Sequence, residues 1–185
     1  GNENTSASVD HKGIFLGSFY AEYGMDGYAI GIEHTPGSAD VSEKVRQRTE
    51  TPTSITSSAA TQTTEVTRKA QAEIENYYAL YAEIPVMGSL FVRLGMAQID
   101  VNTLENLGSN SGSYGNDTID GINYGAGVKG TMAFNDNVQY KFWVEKTDFD
   151  TLKLTSSGNS VAAETGIISA DLDLASIKFG LGYKF

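Results

Sequence analysis

Apolar residues alternate with small, polar or charged residues through seven segments of the chain. Because successive side chains of a β-strand point to opposite faces, this period of two predicts seven strands. We place them at about 13–23, 28–34, 73–84, 89–101, 119–134, 138–150 and 169–185. The 3.6-residue period of an amphipathic helix does not recur in the sequence, which therefore predicts an all-β chain.

The connections between these strands alternate in length. Short turns are predicted at 24–27, 85–88 and 135–137, and long polar segments at 35–69, 102–118 and 151–168. This alternation indicates antiparallel strands that run up and down, with the short turns at one end. Within the longest connection, we interpret residues 39–65 as a polar hairpin that protrudes beyond the sheet; a mobile loop is the alternative.

The apolar rows of the strands end at a common height. On the fourth strand, Leu90, Val92, Leu94 and Met96 are followed on the same face by Gln98. Four rows turn polar in this way, always at the end away from the short turns. Since a tilted strand climbs about 2.5 Å per residue, such a row covers the ~25 Å apolar band of a membrane barrel.

The opposite faces of the strands carry charges of both signs. Charges that are removed from water need partners, so we predict a network of ion pairs that fills the lumen of a barrel. An ion path is the alternative use of the same residues. A soluble ligand-binding barrel would show the reverse pattern, with an apolar lumen and charges outside. The predicted network consists of Glu22, Glu33, Glu83, Arg93, Lys129, Lys141 and Glu145.

Composition narrows the possible functions. The 185 residues suggest a single domain over 1–185, and the mean hydropathy of -0.25 is compatible with alternating membrane strands. A net charge of -10 argues against nucleic acid as a partner. The absence of cysteine excludes disulfides and thiolate metal sites. Because the chain begins with Gly1 instead of methionine, we expect it to be processed or trimmed.

The sequence contains no pattern that predicts catalysis, a cofactor or a metal site. His34 follows Glu33, but neighbours on a strand point to opposite faces. Serine, histidine and aspartate occur without the arrangement of a catalytic triad, so we expect no enzymatic activity. Five acidic residues near the polar ends of the strands suit Ca²⁺ or the cation layer of lipopolysaccharide, although simple solvation is favoured: Asp100, Asp148, Asp150, Asp171 and Asp173.

The last predicted strand ends on an aromatic residue at the end of the sequence. Phe179, Leu181, Tyr183 and Phe185 share its apolar face. With the strand pattern, this ending resembles the small outer-membrane β-barrels of the OmpA/OmpX type, over about residues 13–185. In that family a similar ending is the signal that the barrel-assembly machinery recognises. The resemblance implies an eight-stranded, antiparallel up-and-down transmembrane β-barrel in the bacterial outer membrane, in contact with lipid and lipopolysaccharide.

The sequence departs from this family in showing seven strands instead of eight. Either residues 1–12 contain a weakly patterned strand, or a first strand is missing from the chain. An open edge in lipid would leave backbone groups without hydrogen bonds, so we expect a partner or a missing strand to pair with residues 13–23.

The resemblance implies a non-enzymatic structural or surface-interaction role, with a filled or narrow polar lumen. A passive channel for small solutes or ions is the alternative. An outer-membrane enzyme and a soluble ligand barrel are the remaining hypotheses.

Overall fold

The computed structural model describes residues 15–40, 46–50, 66–70, 72–104, 113–157 and 167–185. Within these ranges the chain forms only β-strands, turns and irregular segments. No helix of the described ranges is long and apolar enough to cross a membrane. The strands are β1 (Phe19–Met25), β2 (Tyr28–Asp40), β3 (Arg46–Glu50), β4 (Val66–Ala70), β5 (Ala72–Met87), β6 (Leu90–Thr103), β7 (Asp117–Met132), β8 (Asn135–Phe149), β9 (Leu152–Thr155), β10 (Ile167–Ala170) and β11 (Asp173–Tyr183).

Seven of these strands form one sheet, in the order β1-β2-β5-β6-β7-β8-β11. Every neighbouring pair is antiparallel, and the sheet curls into a half-barrel. The predicted all-β, antiparallel up-and-down architecture is therefore confirmed. In the described part of the chain, β1 and β11 are the two edges of this sheet.

Tight turns join the strand pairs at one end of the sheet. Asp26 and Gly27 both have positive φ values, 53° and 87°, as the two central residues of a type I′ hairpin turn require. Gly88 also has a positive φ, 57°, in the turn between β5 and β6. The third turn lies at 133–134, because Asn135 already pairs with Met132. The prediction of that turn at 135–137 is therefore wrong by two residues.

Several predicted strand bounds are also wrong. β1 begins at Phe19, and the described residues before it, 15–18, lie outside the strand. β2 continues to Asp40, well past its predicted end. The closing strand begins at Asp173, because 167–170 pair with β9 instead of β8.

Two of the long polar connections contain paired strands. Within 151–168, β9 and β10 form an antiparallel ladder, and Leu152 and Leu154 of β9 are buried. The polar loop predicted there is therefore wrong, since alternate leucines give β9 an apolar face. In the connection that follows β2, β3 and β4 also pair antiparallel. Of the hairpin predicted at 39–65, residues 41–45 and 51–65 lie outside the described part of the chain.

A bulge in β5 changes which side chains share a face. The pairing register with β6 shifts between Glu75 and Tyr78, and Asn76 has a φ of 51°. One extra residue reverses the alternation beyond the bulge. Ile74 therefore packs against the buried core while Leu80 is exposed, although an unbroken period of two would place both on one face.

The two faces of the sheet exchange polarity along its strands. On β6, Arg93 is 1% exposed on the concave face, while Leu94 is 52% exposed on the convex face. Farther from the short turns, Ile99 is buried inside, and the exposed Gln98 donates a hydrogen bond of 2.9 Å to Asp120. Near the short turns, the half-barrel is therefore charged on its concave face and apolar on its convex face. Farther from the turns, the concave face is apolar and the convex face is polar.

Candidate functional site

The predicted charged residues converge on the concave face of the half-barrel. They occupy inward-facing positions on six strands: β1, β2, β5, β6, β7 and β8. Glu33, Glu83, Arg93, Lys141 and Glu145 are buried. Glu22 and Lys129 are partly exposed and complete the predicted set.

Arg93 lies at the centre of this charged network. Its Nη2 atom donates to Oε2 of Glu33 over 2.5 Å. Its Nε atom lies 3.4 Å from Oε2 of Glu145, a distance that makes this contact electrostatic rather than a well-formed hydrogen bond. The guanidinium carbon lies 3.4 Å from the centroid of the Tyr81 ring. Since Glu33 and Glu145 stand on strands four places apart in the sheet, Arg93 connects opposite sides of the interior.

Lys141 organises the half of the network nearer the short turns. Its Nζ atom donates to both oxygens of Glu83, over 2.8 and 2.9 Å, and also to Glu22 on β1. Lys129 donates to the same Glu83 over 3.0 Å and to the backbone oxygen of Gly27 over 3.3 Å. Glu83 therefore receives two lysines, which offsets the cost of burying its charge.

Lys178 of β11 belongs to the network, although the predicted set does not contain it. Its Nζ atom lies 2.5 Å from Oε1 of Glu33 and 2.5 Å from Oε1 of Glu145. The signal was present in the sequence, because Lys178 alternates with the apolar row that ends in Phe185. With this residue, four carboxylates face four cations, so the ionised network is electrically balanced.

Glycines make room for the large side chains of the interior. A Cβ atom added at Gly31 would lie 2.5 Å from the ring of Tyr81. A Cβ atom added at Gly127 would lie 2.8 Å from the ring of Phe91 and 2.5 Å from Cβ of Trp143. The lack of side chains at Gly31 and Gly127 thus allows the aromatic rings to surround the charges.

A neutral layer covers the network on the side away from the short turns. Asn123 donates to the hydroxyls of Tyr77, over 3.1 Å, and Thr147, over 3.0 Å. Trp143 donates to Oε2 of Glu145 over 3.0 Å. The apolar core of the concave face includes Tyr77 and Tyr81 beside the charges. It extends farther from the short turns through Ala79, Ala97, Ile99, Val101, Ile119, Leu152 and Leu154.

The edge strands β1 and β11 approach each other through Tyr20. A Cβ atom at Gly182 would lie 2.7 Å from the Tyr20 hydroxyl, and one at Gly180 would lie 3.2 Å from its ring. Both strands run toward the short turns, so they are parallel to each other. They form no ladder with each other among the described residues.

Four of the five acidic residues predicted at the rim contact hydrogen-bond donors. Lys146 lies 2.5 Å from Asp148 and 3.3 Å from Asp173. Hydrogen bonds from Lys146 and Tyr124 hold the pKa of Asp148 below its usual range. Asp100 accepts from Asn76 and Thr118, and Asp171 accepts from Thr151.

In its described residues, the rim offers no ligand set of the kind that a metal ion needs. Across the described ranges, histidine, aspartate and glutamate do not form a group of three or more that could hold one. His34 is stacked on Tyr78 instead, with ring centroids 4.3 Å apart.

The residues of the predicted assembly signal lie on the convex face. Phe179, Leu181, Tyr183 and Phe185 are all exposed, and the rings of Tyr183 and Phe185 meet edge to face at 5.2 Å.

No protein-family model matches the sequence, and no curated protein or solved structure shows significant similarity to the chain. A functional assignment therefore depends on the fold and on the charged network.

Proposed function

We propose that the chain forms a transmembrane β-barrel of the bacterial outer membrane with a structural or surface-interaction role, a filled lumen and no enzymatic activity. The main support for this proposal is that the concave and convex faces of the sheet reverse their polarity along the strands. A sheet in water buries apolar residues along its whole length. In a barrel that passes from lipid into water, the part inside the membrane has apolar side chains on its outer face and polar side chains in its interior.

The convex face supplies the surface that lipid would cover. We call this surface the apolar belt: Tyr28, Ile30, Ile32, Tyr78, Leu80, Ile84, Leu90, Leu94, Met96, Ile122, Tyr124, Val128, Phe142, Val144, Ile177, Phe179, Leu181 and Tyr183, all exposed. Soluble monomers rarely expose contiguous apolar patches of more than a few hundred Å². Contact with lipid would remove the free-energy cost of exposing this apolar surface to water.

The free edges favour one further strand in the barrel. Since β1 and β11 are parallel, a single strand between them is antiparallel to both and satisfies both sets of backbone groups. It would separate the edges by about 10 Å, twice the usual strand spacing. We propose that a segment outside the described residues, or a partner, supplies this strand and completes an eight-stranded barrel.

The interior favours a filled lumen over a passive channel. The charged network connects strands on opposite sides of the half-barrel and is electrically balanced, so it needs no mobile counter-ion. The apolar core with Leu152 and Leu154 covers it on the side away from the turns. Eight-stranded barrels have interiors that side chains can fill.

Folding into lipid tests the proposal. The purified chain should insert into phospholipid vesicles and migrate differently on gels before and after heating. Planar bilayers with the inserted protein should then show no stable conductance steps. A chain that folds as a monomer in detergent-free buffer contradicts the membrane assignment. Robust conductance that disappears in an Arg93→Met variant contradicts the filled lumen and favours the channel.

A further inference from the structure

Tyr20 spans the gap between the two edges of the seven-stranded sheet on the concave side. Its side chain starts from β1, and its hydroxyl would lie 2.7 Å from a Cβ atom added at Gly182 of β11. Its ring would lie 3.2 Å from a Cβ atom added at Gly180. The ring therefore forms an inner wall behind the gap, and a strand that enters the gap has room there only for small inward side chains.

Two buried hydroxyls at these edges lack hydrogen-bond partners among the described residues. They belong to Tyr20 of β1 and Ser176 of β11. Both side chains point inward, since Tyr20 is paired with the buried Glu33 and Ser176 with the buried Glu145. Because a buried polar group without a partner costs free energy, both positions favour a ligand with hydrogen-bonding groups on its inward side.

The inward charges of the two edges already have partners. Lys178 of β11 lies 2.5 Å from Glu33. Glu22 of β1 accepts hydrogen bonds from Lys141 and Tyr81. A further charge in this interior would lack a counter-ion and would carry the full cost of its burial. The inward side chains of an added strand therefore have to be uncharged.

The outward side chains of both edges are apolar and exposed. Phe19 and Tyr23 of β1 are 73% and 77% exposed, and Ile177 and Phe179 of β11 are 74% and 64% exposed. A strand in the gap would stand between these two rows. Its outward side chains would continue the apolar belt, so they have to be apolar as well.

We propose that the gap between β1 and β11 is a binding site for one β-strand from outside residues 1–185. This strand has apolar outward side chains and small, uncharged, hydrogen-bonding inward side chains. The hydroxyls of Tyr20 and Ser176 recognise its inward side, and the free backbone groups of both edges pair with its backbone. The inference deepens the proposed membrane barrel and rests on it for the lipid that covers the outward side chains.

Residues 1–12, which lie outside the described part of the chain, do not have the sequence that this site requires. Their apolar side chains are those of Ala7 and Val9. A strand that crosses an apolar band of ~25 Å needs about five outward apolar residues. The alternating pattern therefore has to come from another segment of polypeptide.

A second copy of the chain does not fit the gap either. Copies with the same orientation in the membrane have edges that run in the same direction. The β1 edge of one copy would therefore meet the β11 edge of the next as a parallel pair, whereas all described pairs of the sheet are antiparallel. The gap requires a strand that runs away from the short turns, antiparallel to both edges.

A labelled synthetic peptide tests the proposal with the full chain folded in phosphatidylcholine vesicles. The probe has about 11 residues that alternate leucine and serine, the length of a membrane strand. A control peptide has the same composition, with its leucines in one block and its serines in another, and vesicles without protein give the background. The alternating peptide should bind at least about tenfold more tightly than the block peptide, and replacing its central serine with glutamate should remove this advantage.

Substitutions at the edges test the two hydroxyls. Tyr20→Phe keeps the ring and removes the hydroxyl, so it should weaken binding of the leucine-serine peptide about two- to tenfold, the effect of one hydrogen bond. Binding of a leucine-alanine peptide should not change. Ser176→Ala should behave in the same way. Tyr23→Phe, on the outward face of β1, is the matched control and should leave the binding of both peptides unchanged.

The alternative occupants give distinct results. In the full chain, Ala7→Glu/Val9→Glu should leave peptide binding unchanged; tighter binding would show that residues 1–12 occupy the gap and would overturn the proposal. A chain that is dimeric in detergent micelles and becomes monomeric with the peptide would show that a second copy occupies it, with the same consequence.

Two further results overturn the proposal: equal binding of the alternating and block peptides, or equal binding of the glutamate peptide. Equal weakening of the leucine-alanine peptide by Tyr20→Phe would contradict recognition by the hydroxyl. Heat-dependent gel mobility verifies the insertion of each variant. A chain that inserts without binding the peptide contradicts the strand site and leaves the membrane barrel standing, whereas a chain that fails to insert contradicts both.

Discussion

Lys178 of β11 contacts Glu33 of β2 across the interior, with 2.5 Å between Nζ and Oε1. The two residues are 145 positions apart in sequence and stand on the second and the last strand of the sheet order. This ion pair, with that of Arg93 and Glu33, draws the two sides of the half-barrel together. The charged network is thus a structural part of the fold.

Removing one partner of this network should be costly. An Arg93→Met substitution leaves Glu33 and Glu145 with Lys178 as their remaining cation, because Arg93 is the second partner of both. Breaking a buried pair from one side typically costs about 3–5 kcal/mol. We expect a loss of this size in the free energy of unfolding, measured with urea in lipid vesicles.

Lys153→Met is the control for this measurement, since Lys153 is exposed on β9. Its effect should stay within about 0.5 kcal/mol. An equally small effect of Arg93→Met would show that water already solvates the charges of the interior.

A side chain at Gly31 should disturb the packing around Tyr81. Tyr81 is held by a hydrogen bond of 2.7 Å to Glu22 and by the guanidinium of Arg93, so its ring has little freedom to move. Overpacking of this kind costs about 1–3 kcal/mol. We expect Gly31→Ala to lower the urea midpoint accordingly, and Gly17→Ala, where the added Cβ meets no atom within 4 Å, to leave it unchanged.

The β9–β10 ladder should contribute to stability through its buried leucines. Leu152→Ala removes a side chain from the apolar core and should cost about 2–5 kcal/mol. Lys153→Ala, one residue away and exposed, is the matched control. Equal unfolding midpoints for the two variants would mean that the β9–β10 ladder does not pack against the concave face of the half-barrel.

Phe185 should matter for assembly more than for stability. Its side chain is fully exposed, and its one described ring contact is with Tyr183. Phe185→Ala should therefore change the unfolding free energy by less than about 0.5 kcal/mol. If the proposed assembly signal is correct, the same variant should accumulate less in the outer-membrane fraction of expressing bacteria. Unchanged accumulation would contradict the proposal that the C-terminal residues act as an assembly signal.

The period of two allows the number and the up-and-down order of the strands in the seven-stranded sheet to be predicted, and also the inward position of Arg93. The sequence does not reveal where the period breaks: the bulge at Asn76 turns Ile74 inward, and a bulge has no clear sequence signal. Nor does it reveal the partners of each charge, because Lys178 and Glu33 meet only when the whole sheet curls. The β9–β10 ladder was missed because its strands are only four residues long.

The contact of the apolar belt with lipid is tested most directly by one pair of substitutions on the convex face of β6. Leu94 lies in the belt and Gln98 lies above it, and both are exposed. In phospholipid vesicles, Leu94→Arg should lower the unfolding free energy by about 2–4 kcal/mol, and Gln98→Arg by about 0–1 kcal/mol, as expected for the middle and the border of a bilayer. Equal, small effects of the two substitutions would contradict the membrane barrel.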